Sequence, residues 1–514
     1  MVRHIGIRHR VKQTREGEAK PTQVCVLVGD NVTSYDLATE TDELDWVLGQ
    51  FPTSWRLATQ ADETDLVIQK LQEKRPHHIR RKKVRKNQDP EALNADGFVV
   101  VEENDLYFLL EIPAETDGLG RGDVVAMALG GSGDRLAFAL SKQAESFANG
   151  TKIMRIKPMD LKFQREDRLQ RDKNDDAQTL AELVRDYATL FFKTTRKDRD
   201  LIRLVEAWRN RVEAMKARIG SEQRLRSHMI GKIFCSEEGQ YPEGEIELLY
   251  EKERSNDRVI QALAEEQKAR EKEVSTLLRS LDVYNELFVP IKGMGPMIAA
   301  RIIVAVGDVR RFPTAPKLKA FLGAHVKRGG ENGDPSPRLQ FPRRRTGETA
   351  NWHPDGRQAL YLLADQFNRN PDSEWGQKLR EYKVKVRAKH GNGEPVMVRS
   401  GLVDAYRAAE QLFLEMYYLD DVIMGHREIT NLKDYEAWVK DLMHQCLALD
   451  YEKFDENDMG TLEEKLKALT PKDEGKMISI YSNGHIHRMA SWKTVTKFVE
   501  WLWREWTRLE ERNR

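Results

Sequence analysis

The first third of the chain is written in the two-residue rhythm of strands. RHIGIRH, TQVCVLVGD and NVTSYDLAT are three short alternating runs, which predict an opening meander. GDVVAMALGGSGDRLAFALSKQ predicts a buried central strand, a Gly-rich turn and a helix, while DGFVVVEEN with DLYFLLEIP predicts a hairpin. After residue 180 the rhythm changes. Residues 180–285 hold almost no proline, and Leu, Val, Ile and Met recur at three- and four-residue steps among dense charges, which predicts long helices. A break around Gly231 to Gly244 separates two such stretches, so two antiparallel helices joined by a Gly- and Pro-containing turn would form an arm.

The segment VPIKGMGPMIAARIIVAVGDVRRF, Val289 to Phe312, combines a Gly-x-Gly turn with apolar helical runs and closing arginines. Gly293 and Gly295 allow a tight turn, and Pro296 opens a helix whose first N–H groups suit a phosphate. Lys292, Arg301, Arg310 and Arg311 add charge around that point, which is how proteins hold nucleic-acid backbones without reading bases. A buried helical hairpin whose glycines merely permit close packing fits the same residues. Downstream, a polar Gly-rich loop with Lys327 and Arg328 leads to the triplet Arg343, Arg344 and Arg345, to Trp352 as a candidate for base stacking, and to an amphipathic helix.

This order of elements resembles the C-terminal domain of RNA-guided, insertion-sequence-type transposases of the Piv/MooV-like DEDD class. The matching positions are Gly307, Asp308, Arg311 and Phe312, then Phe321 and Gly323, then Arg343, Arg344, Arg345 and Gly347, and the Ala359-Leu360-Tyr361 helix. Upstream, KIMRIKPMDLKFQREDRLQRDKNDDAQTLAELVRD looks like that family's strand, Pro-containing link and acidic helix of an RNase H-like domain. The resemblance spans roughly residues 1–190 and 285–370. It implies a cluster of carboxylates that holds divalent metal against the scissile phosphate.

Most of that cluster is missing. The first-strand aspartate position is Arg8, the central-strand glutamate position falls at Ala128, and the paired helix aspartates align with Lys173 and Asp176. Asp172 and Asp175 also have the spacing of the pair, so a shifted register keeps them as candidates. The nucleophilic serine implied by the family falls near Lys327 and Arg328. A frame with its basic elements kept and its catalytic groups gone looks like the TIGR-associated (Tas) proteins, RNA-guided DNA-binding proteins also similar to the Nop proteins of box C/D ribonucleoproteins. That resemblance implies a small guide RNA, a double-stranded DNA target and a homodimer, with residues from about 285 forming a Nop-like RNA-binding domain. Two alternatives stand beside it: a magnesium- or manganese-dependent nuclease in which Asp172, Asp175 or Asp176 joins an acid such as Glu111, and a vestigial transposase that binds DNA without RNA.

Composition refines this picture in few places. A chain of 514 residues exceeds what one core organises, so three or four domains are expected. Net charge is only +1, but KRPHHIRRKKVRK concentrates Arg80, Arg81, Lys82, Lys83 and Arg85 in one basic run, read here as a segment that touches phosphates. Three scattered cysteines make neither a disulfide framework nor a zinc site, and with no signal peptide or membrane-spanning run the chain is expected in the cytoplasm of a prokaryotic or phage-infected cell. His485 and His487 have no acid or cysteine nearby and are read as part of a polar hairpin; the His77–His78 pair is treated alike. Trp501, Trp503 and Trp506 with Phe498 read as core rather than as stacking platforms.

The expected architecture is multidomain, α/β plus α. An RNase H-like (RuvC-like) domain over 1–180 carries an insertion at about 60–120, followed by a helical coiled-coil arm over 181–285. A helical Nop-like or transposase C-terminal domain with the Gly-x-Gly hairpin covers 286–424, and an α+β accessory module covers 425–514.

Overall fold

The computed structural model describes residues 2–11, 19–85, 88–147, 150–239, 242–325, 351–389, 397–399, 477–479 and 483–512, with isolated helical positions between 401 and 441. The chain is mixed α/β, mostly helical, with its main sheet near the N-terminus, and it divides into two compact units, 1–203 and 204–514.

In the first unit β1 (His4–Arg8), β2 (Thr22–Val28) and β3 (Asn31–Leu37) form the predicted antiparallel meander. After α1 (Glu40–Val47) comes a four-stranded insertion, described below. The chain then returns as β8 (Val124–Ala128), parallel to β1, and as β9 (Lys152–Ile156), parallel to β8. With β10 (Phe191–Lys193) the strand order is β10-β9-β8-β1-β2-β3. Helices cover both faces. Alternation along β1 sends Ile5 and Ile7 to one side, where Trp46 of α1 and Leu136, Ala137 and Leu140 of α5 (Asp134–Ala144) bury them. On the other side Cys25 and Leu27 meet Ala177 and Ala181 of α7 (Asp176–Asp186). The short helix α6 (Pro158–Phe163) starts at the predicted Pro-containing link.

The insertion consists of β4 (Phe51–Leu57), α2 (Gln60–Thr64), α3 (Val67–Lys74), β5 (Arg80–Lys83), α4 (Pro90–Ala95), β6 (Val100–Glu103) and β7 (Leu106–Asp117). β6 and β7 make the predicted hairpin, turning at Asn104 and Asp105, both with positive φ. Four residues of the basic run form β5, which pairs with β7. Backbone pairing with β7 satisfies the peptide groups on that side, and the exposed cations on both faces suit an outer strand, where charge discourages edge-to-edge association.

In the second unit the long α8 (Arg196–Phe234), whose first residues belong to the first unit, runs antiparallel to α10 (Arg258–Arg279). An ion pair from Arg211 to Glu271 at 2.7 Å and a hydrogen bond from Arg218 Nε to the Gln267 side-chain oxygen at 2.8 Å join them. Between the two, α9 (Ile246–Asn256) supplies Arg254, which reaches Glu222 at 3.0 Å. The remaining helices, α11 (Pro296–Val306), α12 (Ala315–Phe321), α13 (Pro354–Arg369), α14 (Glu374–Lys389) and α15 (Asn483–Arg512), share one core. β11 (Met397–Arg399) pairs with β12 (Met477–Ser479).

The α15 helix corrects two expectations. His485 and His487 sit on it rather than in a hairpin, because Ile486, Ala490 and Phe498 recur at helical spacing and are buried. Nor does it stand in a separate accessory module: Phe498 packs edge-to-face on Trp375 of α14, Glu500 pairs with Lys319 of α12 at 2.7 Å, and the Trp503 indole N–H donates to the Phe312 carbonyl at 2.9 Å. Phe498 and Trp506 are core residues, as read from their spacing.

Candidate nucleic-acid interface

Gly6 decides the geometry of the expected catalytic face. It lies between Ile5 and Ile7 on β1, and a Cβ there would sit 1.8 Å from the Ala177 carbonyl oxygen and 2.6 Å from the Ala181 nitrogen. Glycine therefore lets α7 lie directly on the strand, which sets Asp176, the first residue of that helix, over the end of β1 where Arg8 emerges. Ala126 and Ala128 of β8 lie on the same face.

Arginines occupy the site. Arg165 Nη1 donates to both Asp176 carboxylate oxygens, at 2.9 and 3.2 Å, and both residues are buried. Burial pushes the Asp176 carboxyl up from its ordinary value, against the pull of Arg165, Lys173 and Arg8. Asp172 is exposed and caps the following turn through the Asn174 N–H at 2.8 Å, and Asp175 is exposed beside it. Glu111 belongs to the insertion, on β7, where Lys82 holds it at 3.2 Å. Among the described residues, no three carboxylate or imidazole groups gather around Asp176. Magnesium or manganese needs several oxygen donors, and a lone carboxylate already paired with a guanidinium does not fit either ion. Sequence reading placed Arg8, Ala128, Lys173 and Asp176 but missed Arg165, which lies 11 residues away on a single π-helical turn, Gln164–Arg168, and carries no motif.

A second polar cluster on this unit also escaped the sequence. Glu43 of α1 accepts from Thr22 Oγ1 at 2.5 Å and from Arg10 Nε at 3.0 Å, and it lies 3.4 Å from His9 Nε2. Burial works against ionisation here, yet hydrogen bonds from His9, Arg10 and Thr22 hold the carboxyl down to about 2.

The Gly-x-Gly turn is formed as expected, with Gly293 at φ 89° and Gly295 as the extended N-cap of α11. A Cβ on Gly293 would meet the Asn370 side chain at 2.5 Å, whereas Gly295 faces open space. No side chain caps the helix start, and Lys292 beside it is exposed. The expected arginines are committed elsewhere. Arg301 bridges to Asp355 at 2.8 Å and to Gln358 at 2.6 Å on α13, and Arg310 folds back on Asp308. Arg311 reaches the Val306 carbonyl and lies over the Phe312 and Phe321 rings. Trp352 is likewise engaged: it packs on Gly323, and Arg357 stacks between it and Trp492. Each of these four side chains has a partner within the protein. Lys327, Arg328 and the Arg343, Arg344, Arg345 triplet lie outside the described residues.

On the insertion, Arg80 stacks on Trp55 at 3.6 Å, Arg81 pairs with Glu103 and Lys82 with Glu111. Lys83 and Arg85 are exposed at the end of that edge.

Residues 285–328 match the model of the Transposase IS116/IS110/IS902 family, a stretch that contains the Gly-x-Gly turn, α11 and α12. This supports a transposase-related origin for that segment. No curated protein matches the chain. Among the described residues no helix is long and apolar enough to cross a membrane.

Proposed function

We propose that this protein binds a small guide RNA and addresses double-stranded DNA by base pairing, as a homodimer, without RNase H-type metal-ion chemistry of its own. The observation that carries the reading is the buried Arg165–Asp176 pair with Arg8 beside it, on a sheet whose order, β3-β2-β1-β8-β9, suits an RNase H-like domain. Arg165 is held between Asp176 and Glu166, and with Arg8 and Lys173 also acting on Asp176 the face suits phosphate better than divalent metal. The transposase-family match at 285–328 supports the nucleic-acid partner, and the uncapped start of α11 with exposed Lys292 supports a backbone contact at the guide.

Native purification, followed by separate RNase and DNase treatment and sequencing of what co-purifies, tests it. One discrete class of small RNA is the expected result. Heterogeneous DNA without RNA would instead favour a vestigial transposase that binds DNA alone. Cleavage of target DNA with magnesium or manganese, abolished by Asp176→Asn, would overturn the non-catalytic part. Replacing Arg343, Arg344 and Arg345 by alanine should weaken RNA binding and reduce the salt slope by about 2.

A further inference from the structure

A group of donors shared between α1 and the insertion is left unused by the nucleic-acid reading. Asp45 lies on α1, buried to 3 % exposure, while His77 and His78 follow Pro76 in the short turn that links α3 to β5. The two imidazoles converge on one oxygen: His77 Nε2 is 2.7 Å and His78 Nε2 2.6 Å from Asp45 Oδ2. Their rings meet edge-on with centroids 4.4 Å apart, and the three donor atoms all lie within 4.8 Å of one another. Among the described residues this is the one set of three or more such groups that gathers so closely.

We propose that Asp45, His77 and His78 bind a single zinc ion, which ties the insertion to α1 of the main sheet. Two imidazole nitrogens and a carboxylate oxygen are the donors that zinc accepts, whereas magnesium takes oxygen and water. Tetrahedral zinc with bonds of about 2.0–2.1 Å holds its donors roughly 3.3 Å apart, so moving each imidazole nitrogen about 0.6–0.7 Å further from Asp45 Oδ2 admits the ion. The other carboxylate oxygen, Oδ1, faces Arg75 Nε at 3.4 Å, and that contact would hold the ligand's orientation from the second shell. His78 is as buried as Asp45, but the His77 side chain is 38 % exposed, which gives the ion a way in and leaves a fourth position for water. A zinc here would join residues 32 and 33 positions apart in sequence, across the boundary between the sheet domain and its insertion.

Hydrogen bonding alone would use the same atoms differently. Both Nε2 atoms would then carry protons and donate to Oδ2, whereas zinc requires their lone pairs. His77→Gln separates the two, because the glutamine amide can still donate to Asp45.

The test uses tag-free full-length protein, stripped with EDTA and reloaded with zinc chloride. Metal content is read by mass spectrometry, affinity by competition with a chromophoric chelator, and stability by thermal melting. One zinc per chain is expected, with a higher melting temperature than the stripped protein and no such rise with magnesium chloride. Second-shell changes already cost metal sites about 10–100-fold, so His77→Gln should weaken zinc binding by more than about tenfold. It should do so with unchanged circular dichroism, and cobalt loading of the wild type should give visible d–d absorption that the variant lacks. Reloaded protein without stoichiometric zinc, equal stabilisation by magnesium, or a His77→Gln variant of unaltered zinc affinity would each overturn the assignment.

Discussion

Replacing Arg165 by methionine is the sharpest test of the arginine-filled site. The substitution keeps most of the apolar stem and removes the guanidinium that donates to both Asp176 oxygens at 2.9 and 3.2 Å. A buried carboxylate that loses its partner costs about 3–5 kcal/mol, and Arg8 and Lys173, which also act on Asp176, place the expected loss near the lower end. Burial raises the Asp176 carboxyl above its unfolded value, so this group favours the fold below its unfolded range and loses that contribution as pH rises through the folded value. Without Arg165 the folded value climbs further. The deficit of Arg165→Met is therefore largest at neutral pH and shrinks on acidification, as Asp176 takes up a proton. A second variant, Arg165→Met with Asp176→Leu, removes both charges and should recover most of the loss. Hydrogen exchange of peptides from 176–186 reads the opening free energy of α7 directly. A neutral-pH loss under about 1 kcal/mol, a loss independent of pH, or a double variant no better than the single one would refute the reasoning.

Three further outcomes follow from the same geometry. Gly6→Ala drives a methyl into the backbone of α7, with contacts at 1.8 and 2.6 Å, and should cost about 3 kcal/mol or more in the exchange of α7, whereas Gly295→Ala, facing open space, should cost under about 1 kcal/mol. The Glu43 carboxyl is held at about 2 against an ordinary 4.5, so its contribution of roughly 3 kcal/mol is present above 4.5 and lost as pH falls through 2; Glu43→Gln should remove that acid-dependent step, measured by exchange over 40–47. Lys83→Ala with Arg85→Ala, both exposed, should leave stability within about 0.5 kcal/mol. If the edge touches nucleic acid, the pair should also lower the salt slope by about 1–2, measured by titration of affinity against salt.

Much of the frame was legible in the chain. The meander, the Gly-rich turn into α5, the β6–β7 hairpin and the paired long helices all have local signals, because strand and helix periods are imposed by which face each segment buries. That positions 8 and 128 carry no carboxylate was legible as well, since Arg8 and Ala128 are single-letter facts. The hairpin expected at His485 failed for a local reason: an Asn-Gly pair signals a turn, but the apolar residues after it recur at helical spacing and have a helical core to bury against.

What the sequence determined by itself is the inventory: where strands and helices form and which charges are present. Only the tertiary structure decided how those charges are used. Arg301 reads as a nucleic-acid cation until packing gives it Asp355 and Gln358 on α13, and Asp45 and His77 are unrelated until an inserted sheet folds back on α1. The reason is one of range. Secondary structure follows from neighbours a few residues apart, but the pairing of a buried charge is fixed by groups brought together from distant segments, where desolvation makes a partner obligatory.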